Sequence, residues 1–85
     1  MRLLVVEDDE KLAKILSTAL SSIGDVDIAL SGEKALQFVE KTYYDLVILD
    51  LMLGNLSGVE VLKEIRRMYL MPVIVLSALS DIDKK

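Results

Sequence analysis

Tyr44-Asp45-Leu46-Val47-Ile48-Leu49-Asp50 decides the fold. Its four consecutive aliphatic residues leave no polar face, so the segment reads as a strand covered on both sides, as in a parallel sheet between two layers of helices. Asp50 ends the run, and the stretch from Leu51 to Gly58, containing Gly54, Asn55, Ser57 and Gly58, reads as a loop. The same pattern occurs upstream, where Leu3-Leu4-Val5-Val6 passes without a break into Glu7-Asp8-Asp9-Glu10. Downstream, Pro72 opens a last apolar strand, Val73 to Leu76, followed by Ser77.

The intervening segments have helical period. Leu12, Leu16, Ala19, Leu20 and Ile23 share one face of a helix expected to stop at Gly24, with Leu12, Leu16, Leu20 and Ile23 in the core. Val26, Ile28 and Leu30 alternate with Asp27 and Ala29, as in a short strand. Ser31 is placed to cap a helix carrying Ala35, Leu36 and Val39. A further helix runs from Val59 to about Met68 through Val61, Leu62 and Ile65, with Arg66 and Arg67 suiting its C-terminus. Ser80-x-x-Asp83 resembles the start of another. Strand-helix three times and then a fourth strand gives an α/β fold with a flavodoxin-like, doubly wound parallel sheet. The expected strand order is two-one-three-four, within one domain over residues 1–85.

Composition narrows the chemistry. The 85 residues are 53% apolar but only 5% aromatic, and 14 acidic against 10 basic residues give a net charge of -4, which offers no basic footprint for nucleic acid. Cysteine and histidine are absent, which removes disulfides, thiolate metal sites and imidazole acid-base chemistry. No apolar run reaches the roughly 18 residues of a membrane span. The N-terminus lacks a signal-peptide layout, so a cytoplasmic location is the expectation. What remains is chemistry by carboxylates, hydroxyls, lysines or a hard metal ion.

In an open parallel sheet, ligands bind beyond the carboxyl ends of the strands. Glu7 and Asp8, Asp50, and Ser77 all fall at that edge, on strands one, three and four. Three carboxylates at adjacent strand ends repel one another, and a hard divalent cation relieves the repulsion. Asp9 and Glu10 have a plainer reading as helix-capping acids.

Leu4-Val5-Val6-Glu7-Asp8-Asp9, Tyr44 to Leu53, Ser57-Gly58 and Pro72-Val73-Ile74-Val75-Leu76-Ser77-Ala78 resemble the receiver domain of two-component response regulators. The wording around Glu7 and from Leu56 to Leu62 is most similar to receivers that precede a winged-helix DNA-binding domain. The resemblance implies that Asp50 accepts a phosphoryl group from a sensor histidine kinase. It implies Mg2+ held by Asp8, Asp50 and the Met52 backbone carbonyl, with Glu7 reaching the ion through water. Ser77 corresponds to the switch hydroxyl and Ala78 to the small residue beside it, and the helix bearing Lys11 and Lys14 corresponds to a kinase-facing surface.

Two departures stand out. Gly54 occupies a position that is usually proline in the family. The family fold also has a fifth strand carrying a lysine and a switch aromatic, then a last helix; against it this chain reads as truncated after the fourth strand, with the last two helices missing. The fourth strand is then expected to present an apolar edge and to favour a homo-oligomer or strand or helix exchange.

The competing readings are a phosphatase or phosphotransferase with an aspartate nucleophile, a nucleotide-binding module, and a self-associating structural fragment with an idle carboxylate site. The first commonly uses a second acid two residues after the nucleophile, where this chain has Met52. The second lacks any glycine-rich phosphate-binding motif. The expected chain is a signalling domain rather than an enzyme, apart from self-phosphorylation by small acyl phosphates. Any DNA contact is expected in a separate domain of a longer parent.

Overall fold

Strand and helix alternate throughout: β1 (Arg2–Val6), α1 (Glu10–Leu20), β2 (Asp25–Ala29), α2 (Gly32–Lys41), β3 (Leu46–Leu49), α3 (Gly58–Met68) and β4 (Val73–Val75). The computed structural model describes residues 1–53 and 57–76; the expectations placed on Gly54, Ser77, Ala78 and the helix start at residues 80–83 lie outside them. The strands pair in parallel in the order β2-β1-β3-β4. The winding runs outward from β1 in one direction and from β3 in the other, which opens a crevice at the carboxyl ends of these two neighbours.

The continuous apolar runs have the expected cause, since both faces of the central strands are covered. Leu3 to Val6 are all buried. Leu4 and Val6 join Ala29, Val47 and Leu49 in a core completed by Ala35 and Val39 of α2 and Val61 and Ile65 of α3. Successive strand residues point to opposite faces, so Leu3 and Val5 turn toward α1, which packs on β1 and β2.

The layer formed by α1 differs from expectation. Ala13 is its only buried residue, while Leu16 and Leu20 are half-buried. Leu12 is 40% exposed and Ile23 54%, so neither is the core residue its spacing suggested. The apolar stripe is real, but among the described residues nothing packs on its outer flank, whereas α2 and α3 pack on each other. The helix also stops earlier, at Leu20 with Ser21 as its cap. Gly24 does not end it by a left-handed turn, because no described glycine has a positive φ. Its role is close approach, since a Cβ there would collide with the Met1 carbonyl, which accepts the Asp25 N–H.

The other helix ends follow the sequence closely. Asp9 caps α1 by accepting the Lys11 and Leu12 N–H groups, as its capping reading required. Ser31 caps α2 and Ser57 caps α3 in the same way. At the amino-terminal edge of the sheet, Asp27 accepts 2.7 Å from the Tyr44 hydroxyl and 3.3 Å from Arg2, and Asp45 accepts the Arg2 N–H at 2.7 Å. This network ties β1, β2 and the entry to β3 together at the end opposite the carboxylates.

Candidate functional site

The parallel ladders deliver three acids to one place. The Asp50 N–H donates to the Val6 carbonyl at 3.0 Å and the Glu7 N–H to the Ala29 carbonyl at 3.0 Å, each extending the pairing one step beyond the strands. Glu7 and Asp50 therefore emerge from adjacent strands at the same level, with Asp8 next in sequence. One carboxylate oxygen from each of Glu7, Asp8 and Asp50 lies within 4.8 Å of the others.

The three environments differ. Glu7 is only 3% exposed, Asp50 is half-buried and Asp8 is open to solvent. Glu7 accepts the Asp9 N–H at 3.1 Å, and Asp50 accepts the Met52 N–H at 2.9 Å. Burial pushes the Glu7 carboxyl up to about 7, against the pull of the Asp9 hydrogen bond and with further upward pressure from Asp50 and Asp8. Among the described residues, no lysine or arginine forms an ion pair with any of the three. Hard anionic oxygens gathered without a protein cation fit a hard divalent ion such as Mg2+, which takes one or two carboxylates and keeps water.

The remaining site expectations are placed less completely. Met52 lies beside Asp50 with its side chain exposed, and its N–H engages Asp50. Ser77, the expected switch hydroxyl, is outside the described residues. The Leu76 N–H donates to the Leu49 carbonyl at 3.0 Å, which extends the β3–β4 pairing one step past Val75. Sequence reasoning missed the function of Gly58, whose N–H donates to the Leu51 carbonyl at 3.1 Å. A Cβ on Gly58 would sit 2.6 Å from the Asp50 carbonyl oxygen. The Ser57-Gly58 pair was the available signal, but only the folded chain shows what glycine makes room for.

The response regulator receiver domain family matches residues 3–85 of this chain. The chain belongs to that family. A CpxR homologue from Haemophilus influenzae, a transcriptional regulatory protein, is 46% identical over 85 residues, covering 98% of this chain and 37% of the relative. The receiver domain of a Francisella response regulator superposes with a TM-score of 0.86 at 34% identity, over 99% of this chain and 71% of that one. The response regulator TrrA from Thermotoga maritima, solved in complex with Mg2+-BeF, gives a TM-score of 0.77 at 30% identity, over 98% of this chain and 92% of its own. The chain spans 35% to 37% of the length of the curated relatives it matches. This receiver is thus a signalling domain of the kind found in two-component transcriptional regulators, with an incomplete flavodoxin-like sheet. No described helix is long and apolar enough to cross a membrane.

Proposed function

We propose that this receiver, residues 1–85 as a partial domain, takes a phosphoryl group from a phosphohistidine of a sensor kinase onto Asp50. The observation that carries the reading is the convergence of Glu7, Asp8 and Asp50 at the carboxyl ends of β1 and β3. An Asp50 carboxylate oxygen forms the new bond to phosphorus, the nitrogen–phosphorus bond breaks, and its electron pair returns to the donor imidazole. Asp8, Asp50 and the Met52 carbonyl would hold Mg2+, with Glu7 as the neighbouring carboxylate that would reach it through water. When bound, the ion neutralises the carboxylates and stabilises charge on the transferring phosphoryl group. The Met52 N–H orients Asp50 by donating to its carboxylate.

The acyl phosphate adds nearly two negative charges. Ser77 reports that change by turning its hydroxyl to a phosphoryl oxygen, and this is the switch toward partners. Small acyl phosphates serve as alternative donors. The protein works in the cytoplasm, and DNA contacts belong to another domain of a longer regulator. Phosphoramidate, which carries a nitrogen–phosphorus bond like that of phosphohistidine, tests the reading: with Mg2+ present, 31P NMR should show a protein acyl phosphate that Asp50→Asn lacks. A folded parent that never acquires the signal would overturn it.

A second reading is favoured by one observation. Ile15, Ile23 and Ile74 are large apolar residues exposed on α1, just beyond it and on β4. Such surface promotes pairing with a second copy through the β4 edge or exchange of elements, leaving the carboxylate site idle. Mg2+ binding without phosphoryl uptake, in a dimeric sample, would select this alternative.

A further inference from the structure

A single peptide plane connects the first turn of α3 to the Asp50 side chain. The plane between Leu51 and Met52 carries the Leu51 carbonyl on one side and the Met52 N–H on the other. The carbonyl accepts the Gly58 N–H at 3.1 Å, and the N–H donates to Asp50 Oδ1 at 2.9 Å. The space around Gly58 is closed on the same side. An added Cβ would meet the Asp50 carbonyl oxygen at 2.6 Å and the Leu51 carbonyl carbon at 2.8 Å, with the Leu51 Cα nearer still. All three are backbone atoms, so no flexible side-chain end can swing away. The φ of Gly58 is not positive, and glycine is therefore needed here for its missing Cβ and not for an unusual backbone conformation.

We propose that Gly58 is a positioning residue for the carboxylate site, holding the Leu51–Met52 peptide so that Asp50 stays turned toward Glu7 and Asp8. The inference rests on the role assigned above to these three carboxylates. Their mutual repulsion favours rotation of the half-buried Asp50 side chain toward water, and the Met52 N–H opposes that rotation. The Gly58 N–H holds the same peptide plane from its other side, through the Leu51 carbonyl, and so supports that N–H in its place. Ser57 caps α3 at 3.0 Å through the Val59 N–H, and Val61 and Ile65 anchor the helix in the core. The helix is thus the firm partner, and a Cβ at position 58 displaces the strand end that carries Asp50. A carboxylate held before its ligand arrives avoids the ordering cost of binding.

Two glycines provide the comparison. Gly24 has no more room for a Cβ than Gly58, but its obstacle is the Met1 carbonyl at the opposite edge of the sheet. Gly24→Ala and Gly58→Ala should both lower the melting temperature. Mg2+ titration, followed by the Met52 amide resonance in the folded fraction, should separate them. Gly58→Ala is expected to weaken Mg2+ binding by about tenfold, as for loss of an outer partner of a metal ligand, while Gly24→Ala leaves it unchanged. Hydrogen exchange of the Met52 amide without metal should be protected in the parent and faster in Gly58→Ala. If Gly58→Ala does not fold, a chemically assembled chain with glycolate at position 58 removes the N–H without adding a Cβ, and the same losses are expected. A parent that binds Mg2+ with variants that bind it equally well overturns the positioning role alone. Equal weakening by Gly24→Ala also overturns it. A parent with no saturable Mg2+ response overturns the site reading and this inference together.

Discussion

The Asp50 N–H donates to the Val6 carbonyl at 3.0 Å, and this bond places Asp50 and Glu7 level with each other on neighbouring strands. Parallel pairing of β1 and β3 is therefore the direct cause of the carboxylate cluster. A one-residue slip of β3 against β1 would turn Leu49 to the face opposite Val6 and move Asp50 out of level with Glu7. The core that holds the register and the chemistry at its end are parts of one construction.

Repulsion within the cluster should be measurable without metal. Asp8→Asn and Asp50→Asn each replace one of three carboxylates whose oxygens lie within 4.8 Å of one another. Each is expected to raise metal-free stability by roughly 1 kcal/mol, or about 4–8 °C in a domain of this size. Millimolar Mg2+ should stabilise the parent, by about 2.7 kcal/mol at a hundredfold excess over its dissociation constant, and stabilise either variant much less. Circular dichroism melts with and without Mg2+ provide the check; equal Mg2+ stabilisation of parent and variants would contradict it.

Alkaline titration should single out Tyr44. Burial first, and then the hydrogen bond to Asp27, push its hydroxyl from 10 up to about 12. The folded chain holds this proton more tightly than the unfolded chain. The resulting stabilisation is complete below the unfolded value near 10 and is lost as pH rises toward 12. Tyrosinate absorbance should show one of the three tyrosines ionising late, and Tyr44→Phe should abolish that late step. The same substitution should cost about 1 kcal/mol at neutral pH through the lost hydrogen bond.

The two helix layers should tolerate truncation unequally. Ile65 is fully buried in the core that α3 shares with α2, whereas Ile15 of α1 is 64% exposed. Ile65→Ala is expected to cost about 2–5 kcal/mol, and Ile15→Ala to remain within about 0.5 kcal/mol. Denaturant unfolding of the two variants decides this, and similar midpoints would show that α1 packs more deeply than described.

Exposed apolar surface on β4 should govern self-association. Ile74 is 49% exposed on the strand that ends the sheet among the described residues. Ile74→Lys places a charge on that edge and should shift a concentration-dependent dimer toward monomer in sedimentation velocity. A parent that sediments as a monomer throughout the micromolar range would contradict the edge as an association surface.

Much of this fold was legible because its signals are local. Four-residue aliphatic runs, helical spacing and the caps Asp9 and Ser31 all depend on near neighbours, and each lies where the sequence placed it, whereas Ser57 was read as loop and caps α3. The meeting of Glu7, Asp8 and Asp50 followed from strand order once the sheet was recognised as parallel. The apolar face of α1 was misread because periodicity tells which side of a helix is apolar, not whether anything covers it. Gly24 and Gly58 were misread or left unexplained for a related reason. Their obstacles, Met1 and the Asp50–Leu51 backbone, are brought near by tertiary packing.

The most direct test of the central claim is intact mass after incubation with Mg2+ and a small acyl phosphate, run beside Asp50→Asn and beside a sample with the metal chelated. The account predicts one added phosphoryl group on the parent, none on Asp50→Asn and none without Mg2+. A folded parent that remains unmodified, or an Asp50→Asn variant modified to the same extent, would contradict it.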